Sequence, residues 1–225
     1  MGRIFSLLRH LDLLTIVASQ ATNVLIIFTK NPVLGKVKTR LASAIGDEEA
    51  LRVHQSLVEE TITRVNHCHC DKVVYFSDGI NAVNSFSEHG FRQEVQTEGD
   101  LGKRMKHAFA NEFENGYTSI VIVGTDCPDI DETTISLAFD QLEDKEVVLG
   151  PAYDGGYYLI GLSALYNELF DDIAWSTSTV FQSTVERVHE LSLSLGLTEK
   201  KQDIDTFDDL KKSEFGKVHF PRLIG

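Results

Sequence analysis

The sequence predicts an α/β protein: a largely parallel sheet covered by helices on both faces. Short, β-branched apolar runs recur along the chain, and segments with helical spacing of apolar residues lie between them. Parallel neighbours need crossover connections, and helices supply them. No repeat, low-complexity tract or Pro/Gly-rich linker divides the 225 residues, a length suited to one core.

The strand-like runs are Val24–Phe28, Lys72–Phe76, Ser119–Val123, Glu146–Leu149 and Tyr157–Ile160. After the first, Leu51, Val58, Ile62 and Val65 share one helical face, and Asp47 is placed to cap its first turn. Leu101, Met105, Ala108 and Phe109 follow Asp100 in the same way, with Gly116 as the stop. Ile135, Ala138, Phe139 and Leu142 follow Asp131, and Val180, Phe181, Thr184, Val188 and Leu191 run up to Gly196. Thr206 or Asp205 is placed to cap a helix packed by Phe207 and Leu210.

The stretch Met1 to Ala21 is apolar, but Arg9, His10 and Asp12 interrupt it, unlike the uncharged core of a secretion signal. Residues 1–22 are expected to be an extension, either an added helix or a poorly ordered segment, and 23–225 the domain. A formal charge of −13 and a pI near 5.0 exclude a broad basic face for nucleic acid, so any anion site is local. No apolar run has the length of a membrane span. The cysteines, Cys68, Cys70 and Cys127, are sparse, as expected for a reducing cytoplasm. His67-Cys-His-Cys70 lacks the second ligand pair of a structural zinc site, and Cys127 has no activating histidine within its motif.

An acidic chain nevertheless gathers Lys30, Lys36, Lys38 and Arg40 in the loop after its first strand. Pro32 and Gly35 shape that loop, and Gly35 lets backbone N–H groups approach an anion. Arg40 can grip a phosphate with two bonds. The loop is neither a Walker loop nor a dinucleotide fingerprint, since it lacks both Gly-Lys-Ser/Thr and G-x-G-x-x-G. Gly124 and Pro128 bracket Asp126 where a strand ends, and ligands of α/β sheets sit outside the carboxyl ends of strands. A carboxylate there suits a hard cation. Asp203 and Asp205 alternate, so one of them can face the same site. In Asp154-Gly-Gly-Tyr-Tyr158 the glycines allow close backbone contact, and Tyr157 or Tyr158 offers an aromatic face with a polar tip. Trp175 is either a further lining residue of that pocket or a core contact.

These residues fall within Lys30-x-Pro-x-x-Gly-x-Val-Lys-Thr-Arg-Leu41, Gly99-Asp-Leu-Gly-x-Arg-Met105, Gly124-Thr-Asp-x-Pro128, Gly150-Pro-Ala-x-Asp-Gly-Gly-Tyr-Tyr-Leu-Ile-Gly161 and Asp203-Ile-Asp-Thr-x-x-Asp-Leu210. In that order the motifs resemble a family of small glycosyltransferase-like proteins in the nucleotide-diphospho-sugar transferase superfamily, over residues 23 to 211. The family is similar to the molybdopterin and phospholactate guanylyltransferases. The resemblance implies the GT-A fold, Rossmann-like, with three α/β/α layers around a mixed, mostly parallel sheet. It implies Mg²⁺ or Mn²⁺ on Asp126 and Asp205, and a phosphate-holding loop with Lys36, Lys38 and Arg40, which together with Asp126 would carry catalysis. Lys30, Gly35, Gly99, Asp100, Gly102 and Arg104 would lie on the nucleotide side, and Asp154, Gly155, Gly156 and Tyr157 on the acceptor side. Glycosyltransferases of this fold often carry Asp-x-Asp, whereas Asp126 is followed by Cys127 and Pro128. The expected reaction is nucleotidyl transfer from a nucleoside triphosphate to a small phosphorylated acceptor. The alternatives are glycosyl transfer from a nucleotide sugar and nucleotide binding without catalysis.

Overall fold

The computed structural model describes residues 22–81 and 84–225. The expected N-terminal extension, residues 1–22, lies outside the described residues except for Thr22. The chain runs β1 (Asn23–Thr29), α1 (Thr39–Ile45), α2 (Asp47–Val65), β2 (Asp71–Phe76), α3 (Ser85–Glu88), β3 (Arg92–Val95), α4 (Leu101–Glu114), β4 (Ser119–Gly124) and α5 (Glu132–Leu142). It continues with β5 (Val147–Pro151), β6 (Tyr157–Leu162), α6 (Val180–Glu190), β7 (Leu195–Leu197), α7 (Phe207–Lys212), α8 (Glu214–His219) and α9 (Pro221–Ile224).

The strands form one seven-stranded sheet in the order β3-β2-β1-β4-β6-β5-β7. Neighbours are parallel except β6, which is antiparallel to both β4 and β5. Side chains alternate across the pleat, so β1 feeds two cores. Leu25 and Ile27 pack with Ile62, Phe86, Ile135 and Phe139 under α2, α3 and α5. Val24 and Ile26 pack with Met105, Phe109 and Val188 under α4 and α6. This is the expected three-layer arrangement with a mixed, mostly parallel sheet. A third cluster joins Leu41, Val53 and Leu57 of α1 and α2 to Ile204, Leu210 and Phe215, which carries the segment before α7 back to the start of the chain's first crossover.

Strands β3 and β7 are absent from the apolar runs. Both are short edge strands, and every residue of Arg92–Val95 keeps some exposure, so neither needs a continuous apolar stretch. Asp100 and Asp131 cap α4 and α5 as expected, each accepting a bond from the backbone N–H three residues on. Asp47 does not cap α2. Gly46 does, at φ +86°, and Asp47 joins Glu48 and Glu49 in the first turn, where their charge favours the helix dipole. For α7 the cap is Thr206, in a reciprocal capping box with Asp209, which leaves the Asp205 carboxylate free for other partners.

Candidate active site

A cavity of about 440 Å³ opens at the carboxyl ends of β1 to β4 and the amino end of antiparallel β6. From β1 the chain pairs β2 on one side and β4 on the other, the switch point at which α/β sheets bind ligands. Asp126 follows β4, and its carbonyl accepts a 2.9 Å bond from the Ile204 N–H. That bond pins Asp203-Ile-Asp205 against the strand end.

Lys38 stands at the start of α1 with φ 48° and ψ 44°, a left-handed conformation that costs a non-glycine residue about 1–2 kcal/mol. Its side chain turns inward and is 4 % exposed. The Nζ lies 2.7 Å from Asp126 Oδ1 and 3.3 Å from Asp205 Oδ1, and it also donates to the Ile204 carbonyl. Two carboxylates from well-separated parts of the sequence therefore converge on one ammonium, with Arg40 Nη2 3.6 Å from the outer oxygen of Asp205. Burial works against charge on Lys38, but Asp126 and Asp205 outweigh it and its pKa lies above the ordinary value. Burial likewise works against charge on Asp126, and Lys38 outweighs it, holding that carboxyl below the usual range.

Of the residues expected at the site, Lys30, Lys38, Arg40, Arg104, Asp126, Asp205 and Tyr157 line the cavity. Lys36, Gly35, Gly99, Asp100, Gly102, Asp154, Gly155 and Gly156 do not line it. Lys36 is exposed on the outer turn of its loop, where its N–H bonds to the Val33 carbonyl. The Arg104 Nε donates to the Gly99 carbonyl at 2.9 Å, so the Gly99–Asp100 turn holds that arginine at the cavity wall while Asp100 caps α4. Asp154 Oδ1 accepts from the Gly156 N–H and so closes its own turn.

Two glycines make room for the segment before α6. A Cβ on Gly102 would lie 2.2 Å from the Trp175 Nε1, and one on Gly155 would lie 2.0 Å from the Ser178 carbonyl oxygen. Trp175 stacks on Phe170 and belongs to the core below α4 and α6, outside the cavity. Gly102→Ala should accordingly lose about 1–3 kcal/mol, as overpacked cores do. Trp175 is the one tryptophan, so its fluorescence should shift with the same substitution; unchanged stability and emission would mean the indole is not seated on Gly102. Tyr157 and Tyr158 both line the cavity. The Tyr157 hydroxyl is enclosed, on the α6 side beside Thr184, and that of Tyr158 bonds to Thr198 Oγ1 and the Glu199 carbonyl.

His54 and Asp203 also line the cavity. His54 lies on the buried face of α2 with Ala50, Val53 and Leu57, and a histidine interrupting an apolar face was its one signal. Asp203 shares the alternation with Asp205, and both reach the site. Its pKa is pushed up to about 7, by burial first and then by Asp126, Asp154 and Asp205. The folded protein holds a proton there that the unfolded chain releases at about pH 4. This group's contribution to stability therefore falls as pH rises through the window from about 4 to about 7. Asp203→Asn should melt above the metal-free wild type at about pH 8, with the gap closing towards about pH 5. Coincident melting curves at both pH values would mean the carboxylates do not crowd one another.

Among the described residues no three His, Cys, Asp or Glu side chains are already arranged around a metal-sized space. The donor set nonetheless fits a divalent ion. Asp126 and Asp205 present hard oxygen donors to a single point already held by a cation.

The model of a bacterial family, DUF2064, described as an uncharacterised protein conserved in bacteria, matches residues 61–177. No curated protein matches the chain. A candidate nucleotide-diphospho-sugar transferase from Desulfovibrio desulfuricans G20 is 30% identical, with 91% of each chain covered and a TM-score of 0.81. The inositol-1-phosphate CTP transferase of T. maritima is 12% identical over 88% of this chain and 94% of its own, with a TM-score of 0.56. Rv0371c of Mycobacterium tuberculosis H37Rv, in complex with manganese, is 13% identical over 84% and 96%, with a TM-score of 0.52. The two remoter likenesses show the fold alone, that of the nucleotidyl and nucleotide-sugar transferases. With a matching family model and a structural relative this similar along nearly its whole length, the chain belongs to the DUF2064 family.

Proposed function

We propose that the protein is a divalent-metal-dependent transferase that moves a nucleotidyl group from a nucleoside triphosphate to a small phosphorylated acceptor. The observation that carries this reading is the convergence of Asp126 and Asp205 on one buried cation at a strand end, beneath a rim of unpaired or loosely paired basic groups. Mg²⁺ or Mn²⁺ held by Asp126 and Asp205 would neutralise phosphate charge in the transition state. Lys30, Arg40 and Arg104 line the cavity and supply the charge and bidentate bonds that grip a triphosphate. Lys38 holds the two carboxylates at one point and adds its own charge beside the leaving group. A phosphate on the acceptor is already ionised at neutral pH, so no nucleophilic side chain is needed. Lys36 stands outside the cavity and receives no role in this reading.

The Desulfovibrio desulfuricans relative favours a second reading, glycosyl transfer from a nucleotide sugar. The leaving group separates the two. Release of pyrophosphate on incubation with a triphosphate, Mg²⁺ and a panel of sugar phosphates and phosphorylated acids supports nucleotidyl transfer. Release of a nucleoside diphosphate from a nucleotide sugar supports glycosyl transfer. Nucleotide binding with neither product would leave a binding protein.

A further inference from the structure

One peptide at the head of the basic loop is held from both sides. The His54 Nε2 lies 3.1 Å from the Lys30 carbonyl oxygen, which can only accept, so the imidazole donates. Across the same peptide, the Asn31 N–H donates to Asp78 Oδ1 at 3.1 Å. The Asn31 side chain, 4 % exposed, repeats the grip. Its Nδ2 donates to Asp78 Oδ1 at 2.9 Å and to the Gly79 carbonyl at 2.8 Å. Pro32 follows and disfavours a helical turn at Asn31. Helix α2, the loop after β1 and the turn after β2 thus meet at the Lys30–Asn31 peptide.

Lys30 lines the cavity, and among the described residues its ammonium pairs with no carboxylate, unlike Lys38 and Arg40. A lysine stem is flexible, so the fold places such a cation by fixing the backbone from which it springs. Turning the Lys30–Asn31 peptide would swing that stem, and His54 and Asp78 oppose the turn. Asp78 itself does not line the cavity, and by charge alone an exposed carboxylate beside an anion site weakens phosphate binding. Its hydrogen bonds and its charge therefore act in opposite directions, which makes them separable. We propose that Asp78 is a positioning residue for nucleotide binding, which rests on the nucleotide reading of this cavity: it clamps the Lys30–Asn31 peptide against His54 and so fixes the origin of a lysine that meets the nucleotide's phosphates.

The test is calorimetric titration of nucleoside triphosphates and of inorganic tripolyphosphate, each with Mn²⁺. Asp78→Ala should bind both about tenfold more weakly than the wild type, the worth of one hydrogen bond. Asp78→Asn keeps the acceptor and sheds the charge, and should bind at least as tightly as the wild type. In a Lys30→Ala background, which has no ammonium left to place, Asp78→Ala should cost nothing further. A loss equal in both backgrounds would mark a general structural role and overturn the proposal. So would an Asp78→Ala variant that binds as tightly as the wild type, or an Asp78→Asn variant as weak as Asp78→Ala. If the wild type binds tripolyphosphate but no nucleoside triphosphate, the nucleotide reading falls and the tripolyphosphate series alone decides the clamp. Binding of neither overturns both.

Discussion

Asp126→Asn should abolish metal-dependent nucleotide binding while leaving the fold in place. The substitution keeps the shape of the side chain and removes the charge that faces Lys38 at 2.7 Å. Asp205 alone then confronts Lys38 and Arg40, and the resulting excess of positive charge disfavours a divalent ion. Mn²⁺ affinity should fall by a hundredfold or more, about 2.7 kcal/mol. Titration of Mn²⁺ followed by electron paramagnetic resonance measures this directly. An unchanged affinity would remove Asp126 from the metal site.

Lys38→Met should act in the opposite direction, destabilising the metal-free protein and favouring the metal. Removing one partner of a fully buried ion pair costs about 3–5 kcal/mol. Asp126 and Asp205 keep 47 % and 33 % of their side-chain surface, so solvent screens part of that loss. A destabilisation of about 1–3 kcal/mol in the metal-free protein is the scaled expectation. Because Lys38 occupies the point on which the carboxylates converge, its removal should also enlarge the gain in melting temperature on adding Mn²⁺. Triphosphate binding should weaken more than nucleoside binding, since the lost charge serves phosphates. A variant that melts like the wild type with and without Mn²⁺ would show that Lys38 does not hold the acids together.

Much of this architecture was legible in the residues. The central strands β1, β2 and β4 are buried on both faces and read as continuous apolar runs, and Asp100 and Asp131 announce their helices. Edge strands β3 and β7 carry no such demand, so Arg92–Val95 read as loop. The antiparallel direction of β6 is invisible to periodicity, because a buried strand has the same pattern in either direction. At the site, Lys38, Asp126 and Asp205 could each be singled out for their type and place. The resemblance implies that Asp126 and Asp205 meet; the place of Lys38 between them is not legible, since Lys38 and Asp205 are 167 positions apart and are joined through the cluster of Leu41, Leu57, Ile204 and Leu210.

Two glycines have a packing use that their sequence context does not disclose. A glycine that admits a ligand and one that admits an indole or a carbonyl look alike in sequence, and Gly102 and Gly155 are of the second kind. His54 escaped notice because a lone histidine on an apolar helix face usually satisfies itself within the core. Only the bond from Nε2 to the Lys30 carbonyl shows that it serves the basic loop.

The central claim is that this cavity binds a nucleotide together with a divalent ion. Thermal shift with nucleoside triphosphates and nucleotide sugars, each with and without Mg²⁺ or Mn²⁺, tests it most directly. A ligand at about 100 times its dissociation constant adds about 2.7 kcal/mol, a readily visible shift. The account predicts a shift that requires nucleotide and metal together and that disappears in Asp126→Asn. A shift independent of metal, or one that persists in Asp126→Asn, would contradict it.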